Sequence, residues 1–476
     1  MRRSSAQRRL LAAAVQALLA AGVASTASAA TSEFKPWVGA AIGYINNIEL
    51  NPPGQTQTSD FVGEAEAGFL ANYRTQRAQG ALRYRWRGLN YLEENEYDAS
   101  FHNLSASGQV AVVQDLFYVR GGAFYGQALV NPAGSTSFGN YFQSGNLRDS
   151  WGWNVSPVLA KDFGYATFTA QYDYGRVFFD DQGPNQPSDD STNESFYVSL
   201  GTSDRREQVT WRTFYRTTRT EYSSFFPYRY DQAAVDLGVR VSRDLRLVGE
   251  YGVETDLTED TTSGGLDSTY WNVGFIYEPD ERNRLEARTG ERFFGTSYFF
   301  SFRHRARYLT LRAGYSENPT TNSSRRVGFG EDLPPGEIPD FPDFPDSGET
   351  AAEPFISKRA TASASYEGSR NVVTLSFTDE EQDYIQTTRV VNTQDWSLSL
   401  NRDLNPDSSV RLWFSQRDRD ETPGRATRDQ TLAARYNREV ARDLTLSAET
   451  AYTWRTPEDR ATAEGWWIGL RVRKDF

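Results

Sequence analysis

The last stretch of the chain constrains its fold most. Written with period two, residues 463–476 place Trp466, Ile468, Leu470, Val472 and Phe476 on one face and Trp467, Gly469, Arg471, Arg473 and Asp475 on the other. A strand of about 10 residues with one apolar and one charged face suits a wall between lipid and water.

The same two-faced pattern recurs along the chain. Phe61, Ala65, Ala67, Phe69 and Ala71 share a face opposite Glu64 and Glu66, and after a turn near residues 74–77 Leu82, Tyr84 and Trp86 lie opposite Arg83, Arg85 and Arg87. Setting Tyr73 opposite Ala78 predicts that Glu66 faces Arg85 and Glu64 faces Arg87. Further apolar rows follow, such as Val235, Leu237, Val239 and Val241, or Leu444, Leu446 and Ala448. Strands return about every 20 residues, no window has a helical period, and the count comes to roughly 22, an even number as bacterial single-chain barrels require.

The connections obey a second rule. Short ones at residues 74–77, 161–164, 242–244 and 441–443 alternate with longer ones at 47–59, 131–147, 256–267 and 318–357. Outer-membrane barrels have short periplasmic turns and long outer loops. The sequence therefore predicts an all-β, transmembrane, antiparallel outer-membrane β-barrel of about 22 strands with both termini periplasmic.

Residues 1–29 have the layout of a secretory signal: Arg2, Arg3, Arg8 and Arg9, an apolar run, then Ala27-Ser28-Ala29. Residues 30–476 are read as one barrel. Removing the four signal arginines, with no acids beside them, takes the formal charge from −12 to −16, which argues against nucleic acid as a partner. Beyond the signal, no stretch has the ~20 apolar residues of a membrane helix. A mean hydropathy of −0.65 fits a soluble secreted protein and a barrel with a polar lumen equally. Cysteine is absent, so neither disulfides nor thiolate metal sites hold the chain. Aromatic residues make up 14% and glycines number 37, which is strand and membrane-interface chemistry.

The alternating last strand closed by Phe476 resembles the terminal strand of bacterial outer-membrane barrels, which implies that Phe476 is a signal for the barrel-assembly machinery. Lys474 departs from that pattern by occupying an outward position, at a strand end where it can snorkel to headgroups. A wider set of motifs resembles the outer-membrane proteins associated with the PEP-CTERM and exosortase system. It runs from Asn47-Ile48-Glu49-Leu50 through Phe61-Val62, Tyr91, Tyr97 and His102-Asn103-Leu104. Its clearest block is Trp271-Asn272-Val273-Gly274-Phe275-Ile276-Tyr277-Glu278-Pro279, followed by Arg284-Leu285, Gly290-Glu291-Arg292, Phe294-Gly295 and Tyr315-Ser316-Glu317. The family's usual Asp-Asn pair is Asn46-Asn47 here, and the acidic Pro-rich loop described next is not a family feature. The resemblance implies an exopolysaccharide and surface-assembly setting, with exopolysaccharide or periplasmic export components as partners beside outer-membrane lipid, and it brings no catalytic residue.

The constellation with functional content is a set of arginines opposite apolar rows: Arg83, Arg85, Arg87, Arg212, Arg216, Arg240, Arg411, Arg417, Arg471 and Arg473. Guanidinium forks bind carboxylate or phosphate, so a lumen lined by them favours anionic solutes, sugar acids included. Trp413 and Trp467 share that face and offer stacking surfaces for sugar rings. The competing account is charge compensation, because Glu64, Glu66, Asp236, Glu250, Glu254 and Glu449 point the same way. In the connection 318–357, Asp340, Phe341, Asp343, Phe344 and Asp346 belong to a Pro-Asp-Phe repeat, and residues 331–353 hold eight acids and no Lys or Arg. That loop is either a solvated outer loop or a constriction folded back on the lumen arginines.

Enzymatic chemistry has little to stand on. His102 and His304 are the two histidines, each is assigned a structural role, and no nucleophile-elbow, Walker or His-Glu-x-x-His motif occurs. Asp379-Glu380-Glu381 and Asp180-Asp181 read as solvated loop or strand-end acids without the ligand spacing of a calcium loop, so no metal site and no cofactor are expected.

Overall fold

The fold is known from a computed structural model that describes residues 31–129, 140–142, 147–180, 190–203, 208–258, 261–328, 353–422, 424 and 426–476. The predicted signal, residues 1–29, and the loop residues Asp340, Phe341, Asp343, Phe344 and Asp346 lie outside them. Twenty-two strands occur among the described residues. They are β1 (Thr31–Ile45), β2 (Asp60–Arg74), β3 (Ala78–Tyr91), β4 (Ala99–Val113), β5 (Phe117–Leu129), β6 (Leu147–Asp162), β7 (Ala166–Phe179) and β8 (Ser191–Thr202). Next come β9 (Val209–Tyr222), β10 (Tyr228–Arg240), β11 (Leu245–Glu254), β12 (Ser268–Asp280), β13 (Asn283–Arg292), β14 (Gly295–Arg305) and β15 (Leu309–Thr320). The last are β16 (Phe355–Glu367), β17 (Asn371–Tyr384), β18 (Val390–Asn405), β19 (Ser408–Thr422), β20 (Thr427–Ala441), β21 (Leu444–Pro457) and β22 (Ala463–Asp475). A short helix, α1 (Asn322–Arg326), follows β15.

Each strand pairs antiparallel with its sequence neighbours, and β1 pairs with β22 from Trp37↔Asp475 to Ile45↔Trp467, so the sheet closes on itself. Closure leaves no sheet edge, which is the condition for a strand protein to cross lipid. Period two decides what each side carries. Val235, Leu237 and Val239 are exposed on the outer wall, as are Trp466 and Ile468, whereas Trp467 between the last two is fully buried on the inner side. Rings run around the outside of the first strands: Phe34, Phe69, Tyr84, His102 and Tyr125 are linked at centroid spacings of 5.4, 5.8, 6.1 and 6.3 Å. Such amphipathic rings suit the membrane interface. The closed 22-stranded barrel with this apolar exterior is a bacterial outer-membrane β-barrel.

Short and long connections sort to opposite ends. The end that carries the termini has turns such as 75–77, 163–165 and 442–443, and the other has 46–59, 130–146, 255–267 and 321–354. The hairpin that departs furthest from the rhythm is β13–β14, joined at the long-connection end by Phe293 and Phe294 alone. Gly295 closes that turn at φ +110, a conformation that glycine adopts without strain.

The expected β2–β3 register is corrected. Tyr73 pairs with Gly80 and not with Ala78, so Glu66 faces Arg87, Gly68 faces Arg85, and Glu64 faces Leu89. The cause is the turn: Thr75 N–H donates to the Ala78 carbonyl at 2.7 Å, and the Thr75 hydroxyl accepts from Arg77 and Ala78 N–H, which centres the hairpin on Gln76-Arg77. The shift is two residues, an even number, so every side chain keeps its face. Asp379-Glu380-Glu381 also differs from expectation, since it lies inside β17, with Glu380 bonded to Ser357 and Arg325 and Glu381 to Lys358.

Candidate functional site

The inner wall is buried near the long-connection end and opens to water toward the termini. Ile45, Val62, Leu89, Tyr91 and Phe101, all near the long-connection ends of β1–β4, form a cluster with Ile48 and Leu50 of the first connection. Leu50 sits at φ +54, and Asn47 is buried with its amide donating to the Asn51 and Glu464 carbonyls at 2.9 and 2.8 Å. The first long connection therefore turns inward across the mouth.

The connection between β5 and β6 reaches further. Tyr141 and Phe142 belong to the same cluster, and the Tyr141 ring lies on the Trp467 indole, 4.0 Å between centroids and 13° between planes. Tyr91 hydroxyl donates to the Tyr141 carbonyl at 2.6 Å. The glycines around the indole make this possible: a Cβ on Gly43 would stand 2.0 Å from the Trp467 ring, and one on Gly465 2.4 Å from Phe142. Trp413 packs at the edge of the cluster, joined to Trp467 by the cross-strand row Trp413–Ala433–Ala451–Trp467. In this arrangement the Trp467 face taken as a sugar platform is covered by Tyr141.

Beneath the tyrosine lies a charge network. Arg471 holds Glu64 through two bonds of 2.8 and 3.3 Å, reaches Glu66 at 2.6 Å and Glu449 at 3.4 Å, and donates to the Tyr141 hydroxyl at 3.0 Å. Tyr141 in turn donates to Glu64 at 2.5 Å. Arg87 approaches Glu64 at 3.8 Å with its guanidinium 5.0 Å from the Tyr141 ring centre, and Arg435 pairs with Glu449 at 2.5 Å. Three carboxylates thus meet three guanidiniums. Outside the strands, burial and the Glu64 carboxylate push the Tyr141 phenol well above its usual pKa, against the opposing pull of Arg471 and Arg87.

A second insertion starts at β15. The Thr321 hydroxyl accepts from Ser324 N–H and caps α1. Ser323 meets Ser191 and accepts from Asn193 of β8, Asn154 of β6 donates to the Val327 carbonyl at 2.5 Å, and Val327 packs against Ala128, Val177 and Phe179. Arg325 pairs with Glu380 of β17 at 2.7 Å. Residues 321–328 therefore cross the inside of the barrel, from β15–β17 to β5–β8. This is the stem of the long connection, which the sequence assigned to a loop with two possible fates.

The other sequence candidates fall as follows. Arg212 pairs with Asp236 at 3.4 Å, Arg417 with Asp395 at 2.6 Å and Arg473 with Asp475 at 2.7 Å. Arg216 lies 5.4 Å from the Tyr197 ring centre, and Arg411 is exposed opposite Arg435. Arg83, Arg85 and Arg240 are on the inner face and engaged, and Phe476 N–H donates to the Pro36 carbonyl at 3.0 Å beside the closing seam. His102 and His304 are outward, at 2.8 Å from the Tyr84 hydroxyl and 2.5 Å from the Asn283 amide oxygen. What the sequence missed is Tyr141, Phe142 and residues 321–328; the one signal for the first pair was an aromatic dipeptide inside a connection rich in small and polar residues.

These features define a class: an outer-membrane β-barrel whose lumen wall carries many charged side chains and whose own connections pack inside it at one end. No protein-family model matches the chain, and no curated protein does. Among solved structures it is similar to the siderophore receptor PirA from Acinetobacter baumannii, at 8% identity over 94% of this chain and 81% of that one, with a TM-score of 0.49. It is also similar to the FrpB iron transporter of Neisseria meningitidis in its apoprotein form, at 9% identity over 92% and 81%, with a TM-score of 0.48. A third is OpdK of Pseudomonas aeruginosa, solved with vanillate, at 9% identity over 93% and 98%, with a TM-score of 0.34. The barrel assignment rests on the strand pairing itself.

Proposed function

We propose that this barrel is a gated, passive conduit for exopolysaccharide at the bacterial outer membrane, with its termini in the periplasm and its inserted connections as the gate. The observation that carries the reading is a row of hydroxyl side chains on the inner wall. Ser363, Ser376, Ser397 and Ser415 are successive cross-strand partners from β16 to β19, and the row ends in Thr431 and Thr453, which are buried and bonded to each other at 3.1 Å. A wall of short hydroxyls offers exchangeable hydrogen bonds to a sugar polymer without holding it tightly, which is what conduction requires. The resemblance to the PEP-CTERM-associated proteins supplies the polymer class, and enzymatic activity forms no part of the proposal.

The test is conductance of the mature protein in planar bilayers, compared with Tyr141→Ala and with a variant lacking residues 331–353. Current that rises in either variant and is blocked by anionic oligosaccharide supports a gated conduit. Absence of current in all three forms overturns it in favour of a second reading, a non-conducting docking protein. The fully buried Tyr141, Phe142 and Trp467 favour that alternative, and it predicts that polymer binding is lost with the loop.

A further inference from the structure

Inward arginines on this wall characteristically face carboxylates, as Glu66↔Arg87, Arg212↔Asp236, Arg417↔Asp395 and Arg435↔Glu449 do. On β13–β15 the pattern reverses. Arg284, Arg303 and Arg312 are direct cross-strand partners in one row, with Arg305 two residues beyond Arg303 on the same face. Directly opposed like charges destabilise a strand pair. Arg284 is occupied by Glu278 at 2.7 Å and Glu286 at 2.8 Å, and Glu286 is shared with Arg288 at 2.8 Å. Among the described residues no ion pair joins Arg303, Arg305 or Arg312 to a carboxylate, and all three are exposed. Arg411 also faces an arginine, but that partner, Arg435, is tied to Glu449. The next partner along the row from Arg312 is Ser363, a neutral hydroxyl.

We propose that Arg303 and Arg312, with Ser363 beside them, form an oxyanion-binding site on the lumen wall near the end that carries the termini. Two guanidinium forks from adjacent strands present parallel N–H donors to the planar or tetrahedral oxygens of a carboxylate or phosphate group. A bound oxyanion removes the repulsion that the bare pair carries. The site is built from wall residues well below the inserted connections, so it stands whether or not the lumen conducts.

The test uses the full mature barrel in detergent, titrated calorimetrically in separate arms with inorganic phosphate and with glucuronate at constant ionic strength. Saturable binding is expected in at least one arm, weakened tenfold or more in Arg303→Ser/Arg312→Ser. The Arg303→Lys/Arg312→Lys variant keeps the charge but loses the forks, so it is expected to fall between the two. Arg442→Ser, in an exposed turn, is expected to bind as the parent does. Tighter binding of glucuronate assigns the site to a sugar acid, and tighter binding of phosphate to a phosphoryl group or the free ion. Failure of the parent to bind either probe, or undiminished binding by the folded serine variant, overturns the proposal. A flat titration here together with blockable current in the conductance experiment removes this site and leaves the conduit standing.

Discussion

The Tyr141 ring rests on the Trp467 indole while its hydroxyl donates to Glu64 at 2.5 Å, so one side chain of a long connection both covers the aromatic wall and closes the charge network. Trp467 belongs to the wall and Tyr141 to the insert, which makes their contact the place to ask whether the insert moves.

Tyr141→Ala is expected to expose the Trp467 face. Tryptophan fluorescence then becomes more readily quenched by a small neutral quencher than in the parent. The increase disappears when the same substitution is made on a Trp467→Phe background; an increase that persists there places the newly exposed indole elsewhere.

Glu64→Gln is expected to destabilise the barrel by no more than about 3 kcal/mol, because Arg471 and Arg87 lose a buried carboxylate while Arg471 keeps Glu66 and Glu449. Denaturant unfolding in lipid vesicles measures it. Glu221→Gln, which breaks the half-exposed pair with Arg219, is expected to cost under about 1 kcal/mol.

Alkali is expected to loosen the insert. The Tyr141 phenol is held above its ordinary value of 10.0 by burial and Glu64. The folded state therefore favours the neutral phenol, a contribution fully present below pH 10 and lost as pH rises through the folded value. Tyr141→Phe lacks the group and is expected to show a flatter loss of stability above that pH. Equal slopes in parent and variant would assign the alkaline loss to other groups.

Residues 321–328 are expected to lock in place through an engineered disulfide. Ser191 and Ser323 meet side chain to side chain, and the chain has no cysteine of its own, so Ser191→Cys/Ser323→Cys is expected to oxidise readily. If the crossing segment is part of the gate, conductance of the oxidised form stays low and recovers on reduction. Identical conductance in both redox states makes the crossing a fixed strut.

Residue order alone tells which way each wall side chain points. The parity of Trp467, Arg471, Glu64 and Glu66 follows from the pleat alone, and it survived even where the β2–β3 register moved by two residues. Turn position was less legible, because one threonine hydroxyl shifted the hairpin at Gln76-Arg77 and a lone glycine was the signal for the Phe293-Phe294 turn. The facing of Arg284 and Arg303 depends on that turn, that of Arg303 and Arg312 on the turn at 306–308, and the row became visible only with both pairings in place. The tertiary structure alone decided what fills the lumen. Residues of a connection carry no period, and the partners of Tyr141 and Val327 lie on strands brought near them only when the sheet closes, from β2 to β22 in one case and from β5 to β7 in the other. Local alternation is a property of each strand, whereas those contacts are a property of the closed ring.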